Sequence, residues 1–329
     1  MKGLWAGTLG AAGLLTAGIA ATLGHFYVRQ PVVAAPPAVE VEITPERIAR
    51  GEYLFRLADC DGCHSERDFG RFGGPVISTG RGKGVIFPPE LGLPGRVVAP
   101  NITPDRETGI GSWTDGEKVR AIREGIGRDG RPLFPMMPYE SYRHMSDEDV
   151  WSLVAYLDTL KPVKNALPRT RIDFPASMLM RAAPAPVRKV AAVDPRDRIR
   201  YGQYLATLGG CQGCHTPSEK GRPRPGMLFA GGQRFRLPFA TVVSANITPD
   251  PATGIGGWTE QAFLDHFYQY SEYARNGPPK VGPDGFTLMP WLNLSQLPPE
   301  DLKAIYRYLR TLPPVHHPVE IHPVELQAD

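Results

Sequence analysis

The chain is nearly devoid of cysteine. Only four occur in 329 residues, and all four lie in two pentapeptides, Cys60-Asp61-Gly62-Cys63-His64 and Cys211-Gln212-Gly213-Cys214-His215. An excess of charge of one sign is missing as well. The 37 Lys and Arg against 34 Asp and Glu leave a net charge of +3. Such a balance gives no case for nucleic acid, and no basic block interleaves with aromatics as a nucleic-acid surface requires. No phosphate-cradling glycine loop, catalytic triad or separate metal motif is present. Long helical bundles are disfavoured by the 35 prolines and 36 glycines, which argue for many turns and extended segments. What remains is a chain long enough for two domains, with a hydrophobic fraction of 42% sufficient for packed cores.

Charge is also absent between Lys2 and Arg29, where Gly3 to Tyr27 reads GLWAGTLGAAGLLTAGIAATLGHFY. That run can cross about 30 Å of hydrocarbon at about 1.5 Å per residue. A cleaved signal peptide has a shorter apolar core, about 7–15 residues, with a small-residue cleavage site directly after it. Here the nearest small pair, Ala34-Ala35, lies well beyond Arg29. The run is read as an uncleaved single-pass anchor over residues 1–29, followed by a linker over 30–44. Small residues at four-residue spacing (Gly3, Gly7, Ala11 and Ala17, Ala21) would admit a second membrane helix, or the anchor touches lipid alone. Lys2 with the amino terminus on one side gives a weak positive-inside signal that puts the rest of the chain outside the cytoplasm.

That remainder is a repeat. Besides the cysteine pentapeptides, Asn101 to Asp105 (NITPD) returns at Asn246 to Asp250, followed each time by TGIG and by Trp113-Thr114 or Trp258-Thr259. Met137-Pro138-Tyr139 answers Met289-Pro290-Trp291, and YLDTLKPV from Tyr156 answers YLRTLPPV from Tyr308. Landmarks in one order at near-constant spacing mean two homologous domains. They are placed at 45–163 and 195–329, joined by a Pro-rich linker over 164–194. The second copy is shorter before its NITPD and longer after it, around SEYARNGPPKVGPDG, and length changes belong in surface loops.

Each copy begins and ends with a helix. Thr44-Pro45 and Asp194-Pro195 are start signals for the first helices. Ser146 to Asp149 resembles a capping box before VWSLVAYLDTL, and Leu297 to Glu300 precedes DLKAIYRYLRTL. Gly51 and Gly202 cost about 1 kcal/mol each in a helix, which predicts a close crossing with the last helix near Tyr156 or Tyr308. The middle of each copy is expected to be mostly loop. In the linker, the apolar FPASMLM from Phe174 is either a membrane or partner contact or part of a strap lying over one domain.

CxxCH is the attachment signal for c-type haem. Two thiols add across the vinyl groups of one porphyrin edge, and the following histidine reaches the iron. Four thiolates could instead hold zinc, and Cys-x-x-Cys could be a redox dithiol, but neither explains the histidine in both copies. Two covalent haem c groups are therefore expected, on Cys60, Cys63, Cys211 and Cys214, with His64 and His215 as axial ligands. A Met thioether opposite makes an electron-transfer site of raised potential. Met136, Met137, Met145, Met227 and Met289 are the candidates. Met137 and Met289 occupy equivalent places, each before a proline that fixes the backbone, and are chosen, with Met136 the competitor. His144 and His266 read as surface or core residues. Asn101, Asn246, Trp113 and Trp258 could hydrogen-bond haem propionates, or NITPD is a turn and helix-start device with Trp as core.

Taken together, CxxCH, NITPD…TGIGxWT, MP and YLxTLxPV resemble the cytochrome c subunits of bacterial membrane-bound alcohol, aldehyde and sugar-acid dehydrogenases. The resemblance covers most of 45–163 and 195–315. It implies a mainly α fold, two tandem class I cytochrome c domains with long Gly/Pro-rich loops. It also implies periplasmic haem domains that take electrons from a catalytic dehydrogenase subunit and pass them to quinone or a terminal oxidase. Those subunits usually carry three haems and often end in a C-terminal membrane segment; this chain has two CxxCH units and an N-terminal apolar run. The expectation is an electron-transfer subunit at the bacterial inner membrane with no substrate of its own. The alternatives are a dihaem redox enzyme of peroxidase or thiosulfate-oxidising type, which needs an exchangeable iron position, or a subunit whose anchor serves assembly.

Overall fold

The computed structural model describes residues 17–18, 20–22, 24, 33–179, 186–219, 221–237 and 239–323. The anchor expected over 1–29 lies almost wholly outside them, and among the described residues no helix is long and apolar enough to cross a membrane.

The first copy opens with α1, Pro45–Leu57, started by Thr44, whose hydroxyl accepts from the Arg47 amide, with proline at the first helical position. A single turn, α2, Cys60–His64, follows at once. A loop region with the short strands β1 (Val85–Ile86), β2 (Gly95–Arg96) and β3 (Val98–Ala99) leads to α3, Asp115–Glu124. This helix stands where the sequence predicts loop. Its signal was nevertheless present: Thr114 and Glu117 form a full capping box. A short turn of helix, α4 (Tyr139–Tyr142), sits directly after Met137-Pro138, and α5, Asp147–Thr159, closes the copy. Ser146 caps α5 by accepting from Asp149 N. The capping box is only half made, because the Asp149 carboxylate turns to Arg50 and Tyr204 instead.

The linker is a strap over the first copy. Strand β4 (Arg171–Ile172) pairs antiparallel with β2, Thr170 bonds Val98, and Asp147 and Val190 exchange hydrogen bonds. Phe174, at the start of the apolar island, is 73% exposed ahead of the single turn α6, Ala176–Leu179.

The second copy repeats the plan with α7 (Arg198–Leu208), α8 (Cys211–His215), the two hairpins β5–β6 (Ser218–Glu219 with Arg222–Pro223) and β7–β8 (Arg234–Leu237 with Ala240–Val243), then α9 (Glu260–Tyr268), α10 (Ser271–Asn276), α11 (Trp291–Leu294) and α12 (Pro299–Leu309). Helix α7 starts later than the Asp194-Pro195 signal. Asp197 caps it by accepting from Arg200 N, while Asp194 spends its carboxylate on Arg196 in the preceding turn.

Helices this short gain stability from burial more than from propensity. In each copy the first and last helices cross, α1 on α5 and α7 on α12. The glycines are what allow it: a Cβ on Gly51 would sit 2.0 Å from Ser152 O and 2.6 Å from Tyr156 Cβ, and one on Gly202 would sit 1.9 Å from Ala304 O. The close crossing is as expected at Tyr156; in the second copy the touching residue is Ala304, one turn before Tyr308. Leu54 and Leu205 are fully buried beside these crossings, each worth about 1.5–3 kcal/mol relative to exposure.

One apolar core runs through both copies. The seam is reciprocal: α4 of the first copy packs on α7 of the second, and α11 of the second packs on α1 of the first. The insertion after the second NITPD docks on the first copy. Arg71 donates to Pro278 O, Phe72 N to Pro279 O and Val281 N to Gly70 O, and Phe72 stacks on Tyr270 with ring centroids 4.8 Å apart.

Candidate functional site

The shared motifs form one hydrogen-bonded unit in each copy. Asn101 Oδ1 accepts from Thr103 N (3.0 Å) and Thr103 Oγ1 (2.7 Å), while its Nδ2 donates to Thr108 Oγ1 (3.1 Å) and Val163 O (2.7 Å). Asn246 repeats this with Thr248, Thr253 and Val315. The final valine of YLxTLxPV is thus the partner of NITPD. Both amide hydrogens of each asparagine are used within the protein, which makes the motif a turn device. Trp113 and Trp258 pack, half-buried, against the core.

The residue before each asparagine carries the consequence. His64 Nδ1 lies 2.8 Å from Pro100 O, and His215 Nδ1 lies 2.7 Å from Ala245 O. A carbonyl only accepts, so Nδ1 carries the proton and Nε2 keeps its lone pair for a metal. Both rings are buried, at 8% and 9% exposure. Burial lowers both imidazole pKa values, against the opposing pull of the carbonyl, and favours the neutral form that a metal ligand needs. The chain after each histidine is held alike: Gly84 N donates to His64 O and Gly231 N to His215 O, both at 2.8 Å. Ser65 Oγ accepts from Gly82 N and Thr216 Oγ1 from Phe229 N.

All four cysteines are free thiols, standing here for thioether sulfurs. Among the described residues no three His, Cys, Asp or Glu side chains are grouped to hold a metal ion, so a four-thiolate zinc arrangement is not formed. The CxxCH geometry fits a haem instead: two thiols on one helical turn, with an oriented, neutral imidazole directly after them.

The methionines differ sharply in setting. Tyr139 N donates to Met137 O at 2.8 Å, and Trp291 N to Met289 O at 2.7 Å. The intervening prolines have φ −82°, ψ 51° and φ −76°, ψ 56°, an inverse γ-turn whose φ proline pre-sets. Met-Pro-aromatic is therefore the same rigid turn twice. Met137 and Met289 are half-buried against the core, Met136 points out at 37% exposure, and Met145 is wholly buried as core filler. His144 is exposed. His266 is packed among Trp258, Phe267 and Trp291.

Asp61 carries no sequence signal beyond its place inside the CxxCH unit. It is buried inside the first cysteine turn, accepts from Ser65 Oγ at 2.6 Å and pairs with Arg81 at 3.0 Å; Gln212 stands in its place in the second copy.

The cytochrome c family profile matches residues 48–161 and 199–313. The chain is 34% identical to the fructose dehydrogenase cytochrome subunit of Gluconobacter japonicus, over 81% of this chain and 52% of that one. It is 32% identical to the alcohol dehydrogenase (quinone) cytochrome c subunit of Gluconacetobacter polyoxogenes, over 82% and 56%. The chain thus spans about half the length of these relatives. It is 30% identical to a diheme cytochrome c-type protein of Cereibacter sphaeroides, over 92% of this chain and 98% of that one.

Proposed function

The chain belongs to the cytochrome c family, and from that premise we propose that it relays electrons from a dehydrogenase subunit to the respiratory chain. It carries two covalently bound haem c groups and is an electron-transfer subunit, not a catalytic one. The proposal extends this to a membrane-anchored relay on the periplasmic face of the bacterial inner membrane, with quinone or a terminal oxidase as acceptor and residues 1–29 as the single-pass anchor. The haem domains are 45–163 and 195–329, linked by 164–194.

The observation that carries the reading is the doubled, preset site. Cys60, Cys63, Cys211 and Cys214 would be the attachment thiols, and His64 with Met137, and His215 with Met289, would hold the two irons. When bound, each haem iron exchanges one electron reversibly. The residues around it hold the site still. Pro100 and Ala245 fix the imidazole tautomer through Nδ1, and the proline turns fix the methionines. Rigid turns that would offer each iron both a histidine and a methionine would suit electron transfer and oppose peroxide chemistry.

The test is purification of the full chain in mild detergent with identification of what accompanies it. A dehydrogenase catalytic subunit should co-purify, and its substrate should reduce both haems. Haems that stay ferric while the accompanying dehydrogenase turns over, or peroxidase activity in the unmutated protein, would refute the relay.

A further inference from the structure

The two attachment turns lie side by side at the seam. A Cβ on Gly209, two residues before Cys211, would be 3.4 Å from Leu57 Cδ1 and 3.6 Å from Leu57 O, three residues before Cys60.

Asp59 makes this junction asymmetric. It takes a left-handed backbone, φ 47°, at the position where the second copy has Gly210 at φ 67°. A side chain there carries a steric cost that glycine avoids, and a strained residue retained beside a functional turn invites a functional reason. Its carboxylate lies over the turn. A Cβ on Gly62 would meet Asp59 Oδ2 at 2.2 Å, whereas Gly213 in the second unit has nothing within 4 Å. Asp59 Oδ1 accepts from Asn293 Nδ2 at 2.8 Å, and Oδ2 lies 3.9 Å from Arg67 Nη1. Arg67 is itself anchored on the carbonyls of Gly73 and Gly74, and Leu292 would touch a Cβ on Gly73 at 3.2 Å. Asn293 lies on α11, four residues after Met289; the matching residue of the first copy is Ser141. The bond therefore ties the cysteine turn of one copy to the methionine turn of the other.

We propose that Asp59 and Asn293 are positioning residues that clamp these two turns together, so that the attachment turns of the two haems are held side by side. The clamp rests on the haem assignment above, not on the identity of donor or acceptor. The clamp would set the separation of the two haems, between which one electron would pass, one iron being oxidised as the other is reduced.

The full-length, haem-loaded protein in detergent tests this by electron paramagnetic resonance, with no donor or acceptor added. With both irons ferric, each signal should relax severalfold faster than when the other iron is reduced. Asn293→Ala and Asp59→Ala should lose most of that enhancement with haem content unchanged, while Asp59→Asn, which keeps an oxygen acceptor for Asn293, should retain it. Wild-type signals that ignore each other's oxidation state overturn the side-by-side placement of the two haems. An enhancement that survives Asn293→Ala overturns the clamp, and this variant decides if Asp59→Ala does not assemble. A protein with coupled haems that no dehydrogenase reduces would sink the relay and leave the clamp standing; the converse result would do the opposite.

Discussion

Tyr204 donates a 2.6 Å hydrogen bond to Asp149 across the seam between the two copies. The same hydroxyl accepts from Ser146 N at 3.1 Å, and Arg50 grips the same carboxylate through Nε and Nη2 at 2.7 and 2.8 Å. The repeat supplies a mirror image, Tyr53 beside Asp301, in which the Tyr53 hydroxyl faces the carboxylate's charge yet is buried without a well-formed hydrogen bond. One half of the seam is satisfied and the other is not.

Tyr204→Phe should therefore cost about 1.5–3 kcal/mol, since it removes a hydrogen bond to a charged, buried group and strands the Ser146 amide. Tyr53→Phe removes a hydroxyl that makes no well-formed hydrogen bond and should cost less. Urea unfolding midpoints of the haem-loaded proteins measure both. Equal losses would show that the two halves of the seam are equivalent after all.

Gly51→Ala and Gly202→Ala test the helix crossings. In an open helix the change gains about 1 kcal/mol. Here the new methyl would meet backbone oxygens at 2.0 and 1.9 Å, which a flexible side chain cannot relieve, and overpacking of this kind costs about 1–3 kcal/mol or more. Thermal unfolding in which either variant melts at or above the wild-type temperature would refute the crossing account.

What the sequence made legible was whatever covalent chemistry or backbone geometry restricts to few residue types. CxxCH, the glycines of the crossings and the proline after each methionine all belong to that class. The role of NITPD was open until its asparagine was seen to spend both ends on Thr103, Thr108 and Val163, because a polar side chain in a motif does not disclose its partner. Asp194-Pro195 misled for a related reason: an aspartate that caps a helix and one that closes a turn on Arg196 read alike. The seam was least visible. Asp59 and Asn293 carry no motif, and their only trace is that Gly210 and Ser141 stand in their places in the other copy.

Asn246→Ala should act on both stability and spectroscopy. It strands Thr248 N, at about 1–3 kcal/mol, and removes one of the hydrogen bonds to each of Thr253 Oγ1 and Val315 O. It also frees the segment that aims Ala245 O at His215. The second haem should shift its potential as its histidine loosens, while the first, held by Asn101, stays put. A redox titration in which both waves or neither wave moves would contradict the role assigned to the motif.

The methionines give the last test. If Met137 and Met289 bind iron, both ferric haems are low-spin and show the weak near-infrared band of sulfur ligation. Met137→Ala should remove that band from one haem and Met289→Ala from the other, and each change should lower that haem's potential, because the thioether favours ferrous iron. Covalent attachment should persist, since Cys60, Cys63, Cys211 and Cys214 are untouched. Met136→Ala is the discriminating control. Its side chain is 37% exposed, one residue before the turn that fixes Met137, so the band should survive the change. Loss of the band in Met136→Ala, with retention in Met137→Ala, would move the ligand by one residue and break the equivalence between the two copies.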